Sequence, residues 1–186
     1  MALSDWEPRP PDTDYYADRT DYVRMGDVFQ DVPLGYPWPP DAVDHAAGSR
    51  KFLSGPFTAG FGMLLSPTCS MVAQGSDGYA HPVRMIAPVL ALADLVELGV
   101  VKEQAVADLR TYDHLVNYFY LPRIESAQMP ESLALLYSAI TIHHDYLEKR
   151  RIGQLSELAA IHLKYKLTAL YTGERFSHAD FRDEVG

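Results

Sequence analysis

The chain has 186 residues, 47% of them apolar, with 12 Tyr and 7 Phe and a formal net charge of −9. That length suits one domain with a real core of its own and argues against a second complete core. The acidity repels polyanions over the molecule as a whole, which disfavours a dedicated nucleic-acid binder without excluding RNA at a local basic face.

Residues 1–21 carry Asp5, Glu7, Asp12, Asp14, Asp18 and Asp21 against Arg9 and Arg19, with Pro8, Pro10 and Pro11 breaking any helix. They read as an acidic, weakly ordered tail, with Trp6, Tyr15 and Tyr16 as its aromatic residues. No cationic, then apolar, leader opens the sequence, so no secretory signal is expected. Gly26-Asp27 opens a strand over 28–32, where polar and apolar residues alternate. Residues 33–60, rich in Gly, Pro and Asp, read as a loop, and Phe61 to Ser66 as a central strand stopped by Pro67. A turn at Gly75–Gly78 leads to a strand over 81–88.

Leu90–Leu98 has helix-forming composition and ends at Gly99, and Lys102–Arg110 reads as a second short helix. Residues 116–121 form an aromatic strand closed by Pro122. The second half of 133–142 reads as a strand, with the first half left open. Leu155, Ala159, Leu163, Leu167 and Leu170 then recur at spacings of four and three, the stripe of a helix that docks on something apolar. Ser156 is its N-cap and Gly173 its left-handed stop. Residues 22–173 are thus expected as one domain and 174–186 as a polar tail. Every apolar run falls short of the roughly 18–20 residues of a membrane-crossing helix. The single cysteine, Cys69, permits no internal disulfide, and a reducing, cytoplasmic setting follows.

Four pieces, in order, carry a resemblance: Gly26-Asp27-Val28, Met63-Leu64-Leu65-Ser66, Met85-Ile86-Ala87-Pro88, and Ala139 to Ile142 followed by Arg151-Ile152-Gly153-Gln154-Leu155-Ser156. The chain resembles the MazF/PemK-like toxin-fold family over about residues 26–172, with an insertion around 91–121. The resemblance implies an α+β fold: a small SH3-like β-barrel with inserted short helices and a closing C-terminal helix. It also implies homodimers and, in the family's best-known members, metal-independent endoribonuclease activity under antitoxin control. Cleavage there uses an Arg at the head of the second strand and a Ser or Thr near the end of the third. A cation stabilises the transition state, and a hydroxyl or base handles protons. Here the second strand begins Gly60-Phe61-Gly62, and Val89-Leu90 follows Ala87-Pro88, so neither group is in place. The expected function is therefore a non-catalytic binding or regulatory module whose partner is a protein or a second copy. The alternatives are an endoribonuclease with its cation relocated to Arg50, Lys51 or Arg84, and a structural subunit of a larger assembly.

Three further groups hold residue types suited to chemistry. Cys69, in Ser66-Pro67-Thr68-Cys69, lies where such barrels open onto a groove, but no His adjoins it in sequence and a buried cysteine is the preferred account. His143-His144-Asp145, with Glu148 and His162, holds metal-ligand residue types, yet adjacent imidazoles do not face one ion, so no metal and no cofactor is expected. Lys149, Arg150, Arg151, Lys164 and Lys166 stand against the single acid Glu157 over residues 149–166. With Thr68 they are the candidate phosphate- or acidic-peptide-binding residues, weighed against a plain solvated helix.

Overall fold

The computed structural model describes residues 15–35, 57–67, 83–112, 115–147 and 149–173. The fold is mixed α/β, a curled antiparallel sheet of seven strands against which a C-terminal helix packs. The strands are β1 (Val28–Gly35), β2 (Phe57–Leu64), β3 (Val83–Ala91), β4 (Tyr118–Leu121), β5 (Ser132–Leu135), β6 (Ile140–His143) and β7 (Arg151–Gly153). Their order is β4-β5-β3-β2-β1-β7, with β6 also paired to β3. The helices are α1 (Leu92–Glu97), α2 (Val106–Tyr112) and α3 (Glu157–Thr172).

Strand alternation explains how so small a sheet buries both faces. Val28, Met63, Ala87, Val89, Phe119 and Ala134 point to one side, where Leu155, Ala159 and Leu163 of the closing helical segment cover them. Their neighbours Phe29, Leu64 and Ile86 point to the other side, with Val32, Ile142 and Leu147. Beyond them on that side, α1 and α2 place Leu92, Leu95 and Leu109 against Tyr120, Leu133 and Leu135. At Gly62 a Cβ would lie 2.5 Å from Ile86 Cγ2, so glycine lets that side chain pack directly over the backbone.

Two irregularities bend the sheet. Phe29 faces Gly62 and Val32 faces Gly60, so β1 carries one extra residue, with Asp31 at φ 53° in the bulge. The second is larger. Ala134 pairs with Val89 and Ile140 with Ile86, so six steps along β5–β6 match three along β3. The surplus is the 3-10 turn Leu136–Ser138, which makes β5 and β6 two halves of one kinked strand.

The closing helix matches its expected limits. Ala159 N–H donates to Ser156 Oγ at 3.3 Å, and Gly173 closes the helix at φ 72°. Other bounds differ. β2 begins at Phe57, inside the segment read as loop, β3 runs on to Ala91, and β7 was not foreseen. The Gly75–Gly78 turn, residues 1–14 and residues 174–186 lie outside the described residues.

One expectation is corrected. Residues 15–21, read as the end of a weakly ordered tail, are docked onto the domain. Tyr15 is 1% exposed, and Tyr16 forms an antiparallel bridge with Leu155. The tyrosines that gave the tail its aromatic character are therefore core material. The packed unit begins before residue 22. Among the described residues, no helix is long and apolar enough to cross a membrane.

Candidate functional site

Arg84 is the residue through which the sheet's alternation places chemistry inside the protein. Along the start of β3 the side chains run exposed, buried, exposed, buried: Val83, Arg84, Met85, Ile86. Arg84 faces Ile142 across the ladder and so enters the same interior as Ile86 and Ile142. His144 lies two residues beyond Ile142, in the 3-10 turn His144–Tyr146, and turns the same way. Both residues are 1% exposed. Arg84 Nε donates to His144 Nδ1 at 3.1 Å. Ser66 borders this end of the interior: its Oγ accepts from Met85 N–H at 2.8 Å, just past the point where Leu65 N–H meets Met85 O at 2.9 Å. The serine hydroxyl thus extends the β2–β3 ladder by one hydrogen bond.

The structure sorts the remaining candidates. His143 and His144 face opposite ways, His143 with 49% of its side chain exposed and its Nδ1 3.3 Å from Asp145 Oδ2. The adjacent imidazoles do not converge on one point. His162, on α3, lies against the Phe119 ring at 5.7 Å between centroids. Arg50, Lys51, Thr68 and Cys69 lie outside the described residues, and so does Glu148.

Two of the five basic candidates are corrected by their surroundings. Lys166 is buried, with Nζ donating to the carbonyls of Leu115 (2.9 Å) and Tyr118 and lying 5.7 Å from the Phe119 ring centre. It ties α3 to β4 and presents no charge to a ligand. Arg151 is held by Asp27 Oδ2 at 3.0 Å and by the carbonyls of Tyr22 (2.7 Å) and Thr20. Its guanidinium serves the fold. Lys164 is exposed on α3. Lys149 is exposed at φ 68°, and Arg150 stacks over Tyr146 at 5.6 Å while donating to Tyr146 O at 2.7 Å. Tyr146 itself is open to solvent. Lys149, Arg150 and Lys164, with Tyr146, are what the described part of this stretch turns toward solvent.

Two charged pairs escaped the sequence reading. Asp27, seen only as a strand opener, is fully buried at the start of β1, and burial raises its pKa above the ordinary carboxylate value. The Arg24 N–H and the Arg151 guanidinium offset part of that rise. Farther off, Arg110 grips Glu131 with two bonds (Nε to Oε1 2.6 Å, Nη2 to Oε2 2.7 Å), and the Tyr120 hydroxyl donates to the same carboxylate. That grip lowers the Glu131 pKa and raises that of Arg110. The partners are 124 and 21 residues apart in sequence, so no local spacing marks either pair. The chain matches no protein-family model and no curated protein.

Proposed function

We propose that the chain is a non-catalytic binding or regulatory module on a small SH3-like, MazF/PemK-like barrel, and that it acts in the cytoplasm on a protein partner or a second copy of itself. The observation that carries this reading is the burial of Arg84 and His144. A cation and an imidazole in hydrogen-bond contact would suit phosphodiester chemistry, but a polymer substrate must reach them. At 1% exposure each, they pack as part of the interior with Ile86 and Ile142. Arg151 and Lys166 are likewise committed to the fold, which leaves Lys149, Arg150 and Lys164, with Tyr146, as the candidate residues for an acidic or aromatic partner segment.

The second reading is a metal-independent endoribonuclease with Arg84 as its relocated cation. The 3.1 Å contact to His144 favours it, because it sets an imidazole beside the guanidinium charge. Mixed single-stranded RNA incubated with the purified protein and a chelator separates the two. The binding module leaves the RNA intact. Cleavage that is lost in a folded Arg84→Lys variant overturns it and establishes the enzyme.

A further inference from the structure

Tyr118 opens β4, and its partner across the ladder is Leu135, just before the 3-10 turn that carries Tyr137. The two tyrosine rings meet edge to face, 5.7 Å apart at their centroids and 86° between planes, and a hydrogen bond joins their side chains. Tyr118 is half-buried against the cluster of α1 and α2, while Tyr137 is 55% exposed. The backbone of Tyr118 is already held: its N–H donates to Leu115 O at 3.1 Å, and its carbonyl accepts from Lys166 Nζ. The pair therefore offers a ligand ring surface and hydroxyls, not a strand edge.

The chain's own N-terminus is aimed at this pair. The Tyr16 hydroxyl donates to Pro122 O at 2.8 Å and the Tyr15 hydroxyl to Tyr120 O. One step back along the N-terminal segment thus moves its anchor two residues back along β4, toward Tyr118. The backbone runs the same way. Ala17 N–H donates to Gln154 O and Ser156 N–H to Tyr15 O, both at 2.9 Å, so the chain before Tyr15 heads past Ser156, where α3 begins. From there α3 leads to Lys166, which holds Tyr118, a span of about 15 Å for ten helical residues. Fourteen residues precede Tyr15, with Pro8, Pro10 and Pro11 among them. At about 3.3 Å per extended residue, Pro11 reaches about 13 Å from Tyr15 and Pro8 about 23 Å, which brackets that span.

We propose that Tyr118 and Tyr137 form a recognition site for proline-rich segments, and that residues 8–11 of the same chain fill it. Aromatic side chains are the usual seat for such segments. In Pro8-Arg9-Pro10-Pro11 the ring fixes φ at three of four positions, so little freedom is lost on docking. The tyrosine hydroxyls are donors for carbonyls that a proline-rich segment leaves without internal partners. Tethering through Tyr15 holds residues 8–11 at an effective concentration of about millimolar, so even weak contacts are occupied. A proline-rich segment of another protein gains the site by displacing the chain's own.

Paramagnetic broadening in nuclear magnetic resonance tests this on the full chain. A nitroxide is placed on Glu7→Cys in a Cys69→Ser background, and the isotope-labelled protein is diluted with unlabelled chain that carries no nitroxide. The amide signals of residues 118 and 135–138 lose most of their intensity, while those of β1 and β7 keep theirs. Tyr137→Ser, at an exposed position, restores the lost signals, and so does the combined change Pro8→Ser, Pro10→Ser and Pro11→Ser. The triple-serine chain binds an added peptide of residues 5–12 at least about tenfold more tightly than the wild type, because its own segment no longer competes. Broadening that misses 118 and 135–138, or that survives Tyr137→Ser, overturns the proposal. Broadening that needs a separate spin-labelled chain also overturns it, by making the occupant a second copy. Equal peptide affinity in the two proteins does so as well.

Discussion

Leu163→Asp is expected to destabilise the protein severely and to lower its urea midpoint. Leu163 is fully buried at the middle of the α3 stripe, within the cluster formed by Val28, Met63, Ala87 and Phe119. The substitution removes the apolar side chain that fills this site and puts a carboxylate in its place. The lost packing and the desolvation of the acid together cost about 4 kcal/mol or more. A domain of this size has roughly 5–15 kcal/mol in total. Urea denaturation followed by far-ultraviolet circular dichroism reads the effect. An unchanged midpoint would mean that α3 does not cover this face of the sheet.

The second large effect is expected at Arg84. Arg84→Ala empties the volume of a long side chain beside Ile86 and Ile142 and takes the donor from His144 Nδ1. Together these losses amount to about 3–5 kcal/mol. Arg84→Met refills most of the volume with apolar atoms and is expected to lose distinctly less, because a well-packed hydrophobic residue replaces a buried charge at small net cost. Equal losses in the two variants would mean that the charge outweighs the packing. No loss in either would remove the structural role assigned to the residue.

What the sequence made legible was periodic. The stripe from Leu155 to Leu170, capped by Ser156 and Gly173, gave α3 its limits because spacing, cap and stop all agreed. β5 and β6 were harder to read. Leu136–Ser138 interrupts the alternation with a 3-10 turn, so one kinked strand looked like a strand with an indefinite first half. β7 has three residues and makes sense only beside β1. The site was legible in residue type and not in direction. His143 and His144 stand side by side in sequence, and only the pairing of β6 with β3 turns His144 inward to meet Arg84 from 60 residues away. The cations of 149–166 looked like one patch because sequence counts charge without seeing partners. Asp27 holds Arg151, and the carbonyls of Leu115 and Tyr118 hold Lys166. The acidic composition of 1–21 likewise concealed Tyr15, whose ring is buried in the main core cluster.

The central claim is that the polar pair of the interior is closed to anything arriving from solution. His143 and His144 provide an internal comparison, because they are adjacent in sequence and differ in exposure. Native protein treated with diethyl pyrocarbonate, with the modified position located by fragment mass spectrometry, measures access to each imidazole. The account predicts rapid modification of His143, with His144 protected until denaturant unfolds the chain. Modification of His144 at the rate of His143 in the native protein would contradict it.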